Sequence, residues 1–454
     1  MTGLGARPAG GAAGASARDV LVLAWPSVLS FLCNSAYRVN DQYWIGDLGP
    51  AAQAAMSASV FLLILNFSLY FLAVGGALSL VARATGAQDE RERDRTIRHV
   101  LALGVGIAVV ISILGSAFTT EIVGWLGLEG ATAEAAAAYL RTIYFLALPM
   151  ALAPIVDTVF IGMGDTRTPL ILQGGSVTLN FVLNPCLIYG LGPFPAWGMA
   201  GAAAATGISR AAIVVFGLVL LRRRGVRWLH SRRIEPRRLA AIARIGTPSA
   251  LSITIYACVY FALIKLVITP LGDAALAGLG IGFNAFEGMA FPLYLGVAVA
   301  GSSLVGRNLG AGAEALALQA VQNVRKIALG LGALNATLFV GLATVLVPHF
   351  TDDPAVAAET IRYVHILALS QLFVAIETVH EKVLLGAGHT RPIFWISVPG
   401  NVLRVPLAWA LAGPAGMGAA GVWWAINATT LMKATAFLWI VERRTWVSMR
   451  VAAS

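Results

Sequence analysis

Asn34, Arg38, Asn40 and Asp41 interrupt the first long apolar stretch of this 454-residue chain, between Leu23–Leu32 and Tyr43–Ile45. Charge is costly in lipid, so ionisable groups inside membrane segments usually face a partner or a water-filled cavity and mark function. Asp41 is the side chain best suited to chemistry there. A carboxylate that gains or loses a proton changes its charge, and desolvation alters how firmly it keeps that proton. Arg38, three residues earlier, shares its helical face and is placed to pair with it. A mutually neutralising pair that only fixes packing is the alternative. Glu287 stands near the middle of a later apolar stretch. Glu377 and Glu381 are four apart, with His380 and Lys382 beside them, and are placed to attract a cation, to share a proton, or to pair with Lys382. Lys265, Arg210, Arg404 and Lys433 also fall inside apolar stretches and need partners that spacing does not name. Lys265 in particular can snorkel to an interface. Tyr37, Phe61, Phe67, Tyr256, Tyr260, Phe283 and Phe286 could present rings to a bulky cation, with ordinary packing as the alternative.

These residues must be positioned by membrane helices. The chain is 58% hydrophobic and 12% charged, with mean hydropathy +0.78. Soluble domains carry about 25% charged residues. Runs near 20 apolar residues recur along the chain, the length a helix needs to cross a hydrocarbon core of about 30 Å. Weak alternation argues against a β-barrel. The pattern predicts twelve helices. Six lie near residues 20–46, 51–83, 97–118, 134–161, 168–190 and 198–221. Six more lie near 242–270, 275–304, 321–347, 357–386, 391–412 and 416–441. The Gly/Ala-rich residues 1–18 are expected to be disordered, and they lack the apolar core of a signal peptide.

The formal charge is +10, but its distribution speaks of topology, not nucleic acid. The linker between the halves holds nine arginines, at 222, 223, 224, 227, 232, 233, 237, 238 and 244. Even-numbered connections carry Arg83, Arg91, Arg93, Arg95, Arg98, Arg167, Arg307, Arg325 and Arg391. Odd-numbered ones carry Asp47, Glu121, Glu129, Asp273, Asp352 and Asp353. Basic loops stay on the cytoplasmic side, so both termini are expected there. Cys33, Cys186 and Cys258 are far apart and suggest neither a metal site nor a disulfide framework.

The two halves repeat at an offset of 220–224 residues. Trp25-Pro26-Ser27 returns as Thr247-Pro248-Ser249, and Ala84-Thr85-Gly86-Ala87 as Asn308-Leu309-Gly310-Ala311. Gly162-Met163-Gly164-Asp165-Thr166-Arg167 returns as Gly386-Ala387-Gly388-His389-Thr390-Arg391. Asn180 with Pro185 is matched by Asn401 with Pro406, and Gly198-Met199-Ala200-Gly201 by Gly418-Ala419-Ala420-Gly421. Six helices per copy keep both copies in the same orientation, a parallel repeat of transporter type. The expected domains are a first lobe at 19–221, a linker at 222–241, a second lobe at 242–441 and a tail at 442–454.

Taken in order, these segments resemble the multidrug and toxic compound extrusion (MATE) transporters over residues 19–441, closer to the prokaryotic branches. The pieces are Pro26 with Asp41 and Leu48-Gly49; Val81 to Ala87; Gly162 to Arg167; Leu179-Asn180-Phe181-Val182-Leu183-Asn184-Pro185; and Leu304 to Ala311. The resemblance implies two six-helix lobes in a V shape and cation-driven export of amphiphilic, often cationic drugs by alternating access. It also implies a first-lobe cation site of an Asp on helix 1, an Asn and an Asp on helix 5 and a Thr on helix 6. Asp41, Asn180 and Thr206 match those places, whereas the helix-5 acid is Asn184 here. Asp157 on helix 4 is a candidate to restore the missing charge, or a helix-end residue near Arg167. The acid that some members carry on helix 7 is Tyr256 here.

A hard cation is best held by anionic oxygens, so losing one acid favours H+ over Na+, with Na+ at Asp41 and Asn180 as the alternative. Candidate substrate contacts are Asn34, Tyr37, Arg38, Tyr256, Phe283, Glu287 and Glu377. The expected partners are small amphiphiles, the coupling ion and membrane lipids, for a monomer without cofactor. A lipid-linked sugar flippase of related fold would need a more cationic cavity. An intramembrane enzyme would need a motif such as His-Glu-x-x-His or Gly-x-Ser-x-Gly within the spans, and neither is found in the sequence.

Overall fold

The computed structural model describes residues 12–229 and 233–448. Arg232, residues 1–11 of the Gly/Ala-rich start and the tail from 449 onward lie outside the described residues. Within them the chain is all-helical, with no strand. The first half holds α1 (Ala17–Gly46), α2 (Pro50–Gly86), α3 (Glu90–Ala117), α4 (Thr119–Trp125), α5 (Gly130–Phe145), α6 (Ala147–Gly162), α7 (Arg167–Tyr189) and α8 (Gly198–Arg223). The second holds α9 (Pro236–Leu263), α10 (Asp273–Ile281), α11 (Gly288–Gly310), α12 (Glu314–Leu346), α13 (Pro354–Ala368), α14 (Ser370–Gly386), α15 (Arg391–Ala412) and α16 (Ala419–Glu442).

Eight helices are long and apolar enough to cross a membrane, or ten if the bent pairs α5–α6 and α13–α14 each count as one span. The fourth and tenth expected helices are therefore not straight: they bend by 57° and 55°. Pro149 explains the first. It cannot donate to the Phe145 carbonyl, where α5 ends, and its ring crowds that carbonyl. At the second, the Ser370 hydroxyl and the Gln371 amide both donate to the Leu367 carbonyl, at 2.7 and 3.2 Å, and side chains inserted into the helical ladder bend it. Helices α15 and α16 have spanning length but lower hydropathy, because their buried faces carry Asn401, Arg404, Asn427, Thr429, Thr430 and Lys433.

The expected helices seven and eight are also interrupted. A π-helical turn at Ile264–Ile268 follows α9, and another at Gly282–Glu287 joins α10 to α11. Such turns are rare and occur often at functional sites.

Residues Leu29–Ala250 form one compact unit; Leu251 onward, with the chain as far as Val28, forms another. Both divisions fall inside a helix, two residues past Pro26 in α1 and two past Pro248 in α9. The first unit packs a core of Tyr139, Leu140, Ile143, Ala151, Met199 and Ala202. Its linker is tied to α3: Glu235 bonds Arg95 at 2.5 Å, Arg238 bonds Glu92 at 2.6 Å, and the Glu235 N–H donates to His99 Nε2 at 3.1 Å. In the second unit the lead-in to α1 is held in the same manner. Asn323 donates to the Ala15 carbonyl at 2.7 Å, and the Ala13 N–H donates to Asn308 Oδ1 at 2.8 Å.

The repeat is physical as well as textual. Gly164 and Gly388 adopt φ +83° and +75° at matching turns after α6 and α14, a left-handed conformation that glycine adopts without steric cost. Gly201 lies where a Cβ would stand 2.2 Å from the Leu187 carbonyl oxygen, and Gly421 where one would stand 2.6 Å from the Leu411 carbonyl carbon. Each lets the last long helix of its unit cross its neighbour closely.

Candidate functional site

Three helices of the first unit converge on Asp41. On α7 the polar residues Gln173, Ser176, Asn180 and Asn184 recur at spacings of 3, 4 and 4, which puts them on one face. On α1, Asn34, Tyr37, Asp41 and Trp44 do the same, and α8 adds Thr206, Ser209 and Arg210. Asp41 is 5% exposed, and Asn180 and Asn184 are fully buried.

The hydrogen bonds run in one direction. Trp44 Nε1 donates to Asn40 Oδ1 at 2.8 Å, and Asn40 Nδ2 to Asn180 Oδ1 at 2.8 Å. Asn180 Nδ2 donates to Thr206 Oγ1 at 3.2 Å, and Thr206 Oγ1 to Asp41 Oδ2 at 3.0 Å. Asn184 Nδ2 donates to the other oxygen, Asp41 Oδ1, at 2.8 Å. Every donor therefore points toward the carboxylate, which suits its anionic form. The Asn184 carbonyl oxygen is buried with no partner. The structure thus brings Asp41, Asn180, Asn184 and Thr206 together.

Arg38 does not join them. It is exposed, and Asp41 takes its two donors from α7 and α8 instead. Arg210 is the cation of this region. It lies 4.4 Å over the Tyr37 ring, bonds Asn34, and donates to Gln173 Oε1 at 3.2 Å. Gln173 in turn donates to Asp157 Oδ2 at 2.6 Å. Asp157 is therefore linked through Gln173 to Arg210, rather than hydrogen-bonded into the Asp41 cluster or paired with Arg167. The Tyr37 hydroxyl bonds Ser176, whose own hydroxyl donates to the Ser209 carbonyl at 2.5 Å.

The second unit has a different polar interior. Glu287 ends its π-helical turn and accepts from the Tyr363 hydroxyl at 2.6 Å. Glu377 pairs with Lys433 at 2.7 Å, and Lys433 also donates to Asn401 at 3.0 Å. Glu381, not Glu377, pairs with Lys382, at 2.7 Å. Arg404 donates to the hydroxyls of Thr429 and Thr430 at 3.1 and 3.4 Å. Tyr256 stacks on Tyr260 with ring centroids 6.0 Å apart, and Tyr260 meets Phe283 at 5.1 Å. Lys265 is exposed in its π-helical turn.

Trp44, Gln173, Ser176 and Tyr363 were not among the expected site residues. The 3–4 spacing of Gln173, Ser176, Asn180 and Asn184 was the available signal for two of them. No group of three His, Cys, Asp or Glu side chains converges as a metal site among the described residues.

The MatE family profile matches residues 26–186 and 248–410, once in each half. A probable multidrug resistance protein NorM of Thermotoga maritima is 27% identical over 436 residues, covering 92% of this chain and 90% of that one. The multidrug resistance protein NorM of Burkholderia vietnamiensis is 28% identical over 451 residues, 94% of each. Among solved structures, a MATE in complex with MaL6 superposes with TM-score 0.88 at 23% identity, covering 95% and 97% of the two chains. A MOP superfamily transporter from Pyrococcus furiosus, described as having a binding pocket of reverse polarity, superposes with TM-score 0.84 at 22% identity, covering 96% and 97%. These superpositions extend over nearly the whole chain.

Proposed function

The chain belongs to the MatE family, and from that premise we propose that it is a secondary antiporter exporting amphiphilic, often cationic compounds in exchange for H+ by alternating access. The observation that carries the reading is Asp41, a buried carboxylate that accepts from Asn184 and Thr206, at the end of a directed run of donors from Trp44 through Asn40 and Asn180, with no ion pair to it among the described residues. Protonation replaces an acceptor with a donor, so the O–H must find an oxygen. The Asn184 carbonyl, buried without a partner, supplies one when its amide turns over. A proton thus changes both the charge of the site and the direction of its hydrogen bonds, which is what a coupling group must do to distinguish two states. In this reading both termini face the cytoplasm, and Tyr37, Asn34 and Arg210 in the first unit and Tyr256, Phe283, Glu287 and Glu377 in the second are the substrate contacts.

Na+ at Asp41 and Asn180 is the second reading. It requires Asn184 and Thr206 to turn oxygens toward the ion where they now turn N–H and O–H groups toward Asp41, and only one carboxylate is present to hold it. The experiment is efflux from proteoliposomes under separately imposed H+ and Na+ gradients, with wild type and Asp41→Asn. A proton gradient should drive the wild type and leave Asp41→Asn inactive though folded. Sustained uphill efflux under a Na+ gradient with a protonophore present would sink the proton reading. Wild-type rates from Asp41→Asn would make Asp41 structural.

A further inference from the structure

Arg404 on α15 is 6% exposed, yet its donors meet only neutral oxygens. Nε reaches Thr429 Oγ1 at 3.1 Å and Nη2 reaches Thr430 Oγ1 at 3.4 Å, with the Tyr256 phenol beside the guanidinium. No carboxylate of the described residues forms an ion pair with it. Of the acids of this region, Glu377 pairs with Lys433 at 2.7 Å, and Glu287 forms no ion pair among the described residues and accepts from the neutral Tyr363 hydroxyl at 2.6 Å. A guanidinium presents five N–H donors in a planar fork, so two bonds to threonine hydroxyls leave part of the fork unanswered. Buried charges are normally paired, because an uncompensated one is expensive. The missing partner is an anion.

The surroundings limit what kind of anion. Tyr256, Tyr260, Phe283 and Glu287 are all half-buried rather than sealed. The rings follow one another at 6.0 and 5.1 Å, and Phe283 stands four residues before Glu287 in the same π-helical turn. A flat apolar surface therefore begins beside the guanidinium and leads toward an acid. We propose that Arg404, with Thr429, Thr430 and Tyr256, forms an anion subsite within the second compact unit that takes the carboxylate of an aromatic substrate. The inference rests on the export reading above and narrows its substrate class. An aromatic zwitterion satisfies the site most fully, with its carboxylate in the fork, its ring along Tyr256 and Phe283, and its amine toward Glu287.

The test is binding to the purified full-length chain in detergent, at neutral pH and with no ion gradient. The probes are pyrenebutyrate and its methyl ester, followed by energy transfer from tryptophan. Wild type should bind the acid about tenfold more tightly than the ester, the scale of one charge-assisted hydrogen bond. Arg404→Gln should abolish that preference and leave ester affinity unchanged. Arg404→Lys should keep part of it, since the charge stays while the fork is lost. Equal affinity of wild type for acid and ester overturns the proposal without any variant, so a poorly folded variant does not shelter it. Parallel loss of both probes in folded Arg404→Gln also overturns it, because that is a packing effect. Displacement of the acid by added phosphatidylglycerol would assign the fork to a lipid headgroup and overturn the substrate assignment. Because no gradient is used, intact acid binding beside failed gradient-driven efflux would sink the antiport reading and leave this one standing.

Discussion

Asn184 turns its N–H toward Asp41 and leaves its carbonyl oxygen without a partner, so one substitution tests whether a second acid here would bind Na+. Asn184→Asp would put a second carboxylate within hydrogen-bond distance of the first. An added unit charge about 4 Å from a cation contributes on the order of 1–4 kcal/mol, depending on screening, so Na+ binding should strengthen about fivefold or more. Thermal stabilisation by NaCl, compared with choline chloride, checks this. A variant indifferent to Na+ would show that the absent charge does not decide the matter. Much of this cluster was legible in the sequence, because polar groups on apolar helices stand out. Its partners were less so. Spacing tells which residues share a helical face but not which helix lies opposite it, so Arg38 looked like the partner of Asp41, while Arg210, 172 positions further along from Arg38, is the cation that covers Tyr37.

Turns carry a second kind of information. Asp165 precedes α7 and accepts from the N–H groups of Arg167 and Thr168, both at 3.0 Å, and from the Thr168 hydroxyl at 2.5 Å; Arg224 at the end of α8 pairs with it. Partial burial pushes its carboxyl up, but the Thr168 donors and the Arg224 guanidinium outweigh this and hold it below its ordinary value of 3.8. The folded state therefore binds that proton less tightly than the unfolded state. The stabilisation is complete above the unfolded value and is lost as pH falls through the folded one. Asp165→Asn should lower Tm at pH 7 by the equivalent of about 1 kcal/mol, the scale of a lost ion pair and weakened charge-assisted hydrogen bonds. That difference should begin to shrink below about pH 4 and close as pH falls through the lower folded value. A difference that persists at acid pH would assign the effect to shape rather than charge. In the second copy the same turn survives with His389 in place of the acid, its imidazole pushed down by burial and by Arg391; Gly388 keeps the backbone geometry. Glycines at 164 and 388 made these turns readable. The bends at Leu146 and Leu369 were not, because an apolar run looks continuous whether or not its axis is.

The halves share turns, close helix crossings and tied lead-in segments, yet differ in their buried charges. The first buries Asp41 and Asp157, with Arg210 half-buried beside Tyr37; the second buries Glu359, Lys382, Arg404 and Lys433, with Glu287 and Glu377 half-buried. The repeat itself was readable because glycines and turn residues return at a nearly constant offset. The difference between the interiors was readable only as unpaired residue types, since their pairings run between helices. Charge distribution makes a prediction for the whole chain. Reporter fusions in the arginine-rich linker, at Arg227, and in the acidic loop at Asp353 should report opposite sides of the membrane. The same side for both would overturn the orientation.

The one-way run of donors from Trp44 to Asp41 has an optical consequence. An indole whose N–H is committed to Asn40 Oδ1 at 2.8 Å fluoresces according to how strongly that bond is polarised. When Asp41 takes a proton, the pull on Thr206, Asn180 and Asn40 slackens in turn, and the emission of Trp44 should shift. The protein thus contains its own indicator dye for the protonation of Asp41. The wild-type minus Trp44→Phe difference spectrum should titrate with pH, and the titration should vanish in Asp41→Asn. A pH-dependent difference that survives Asp41→Asn would mean that the indole reads some other group.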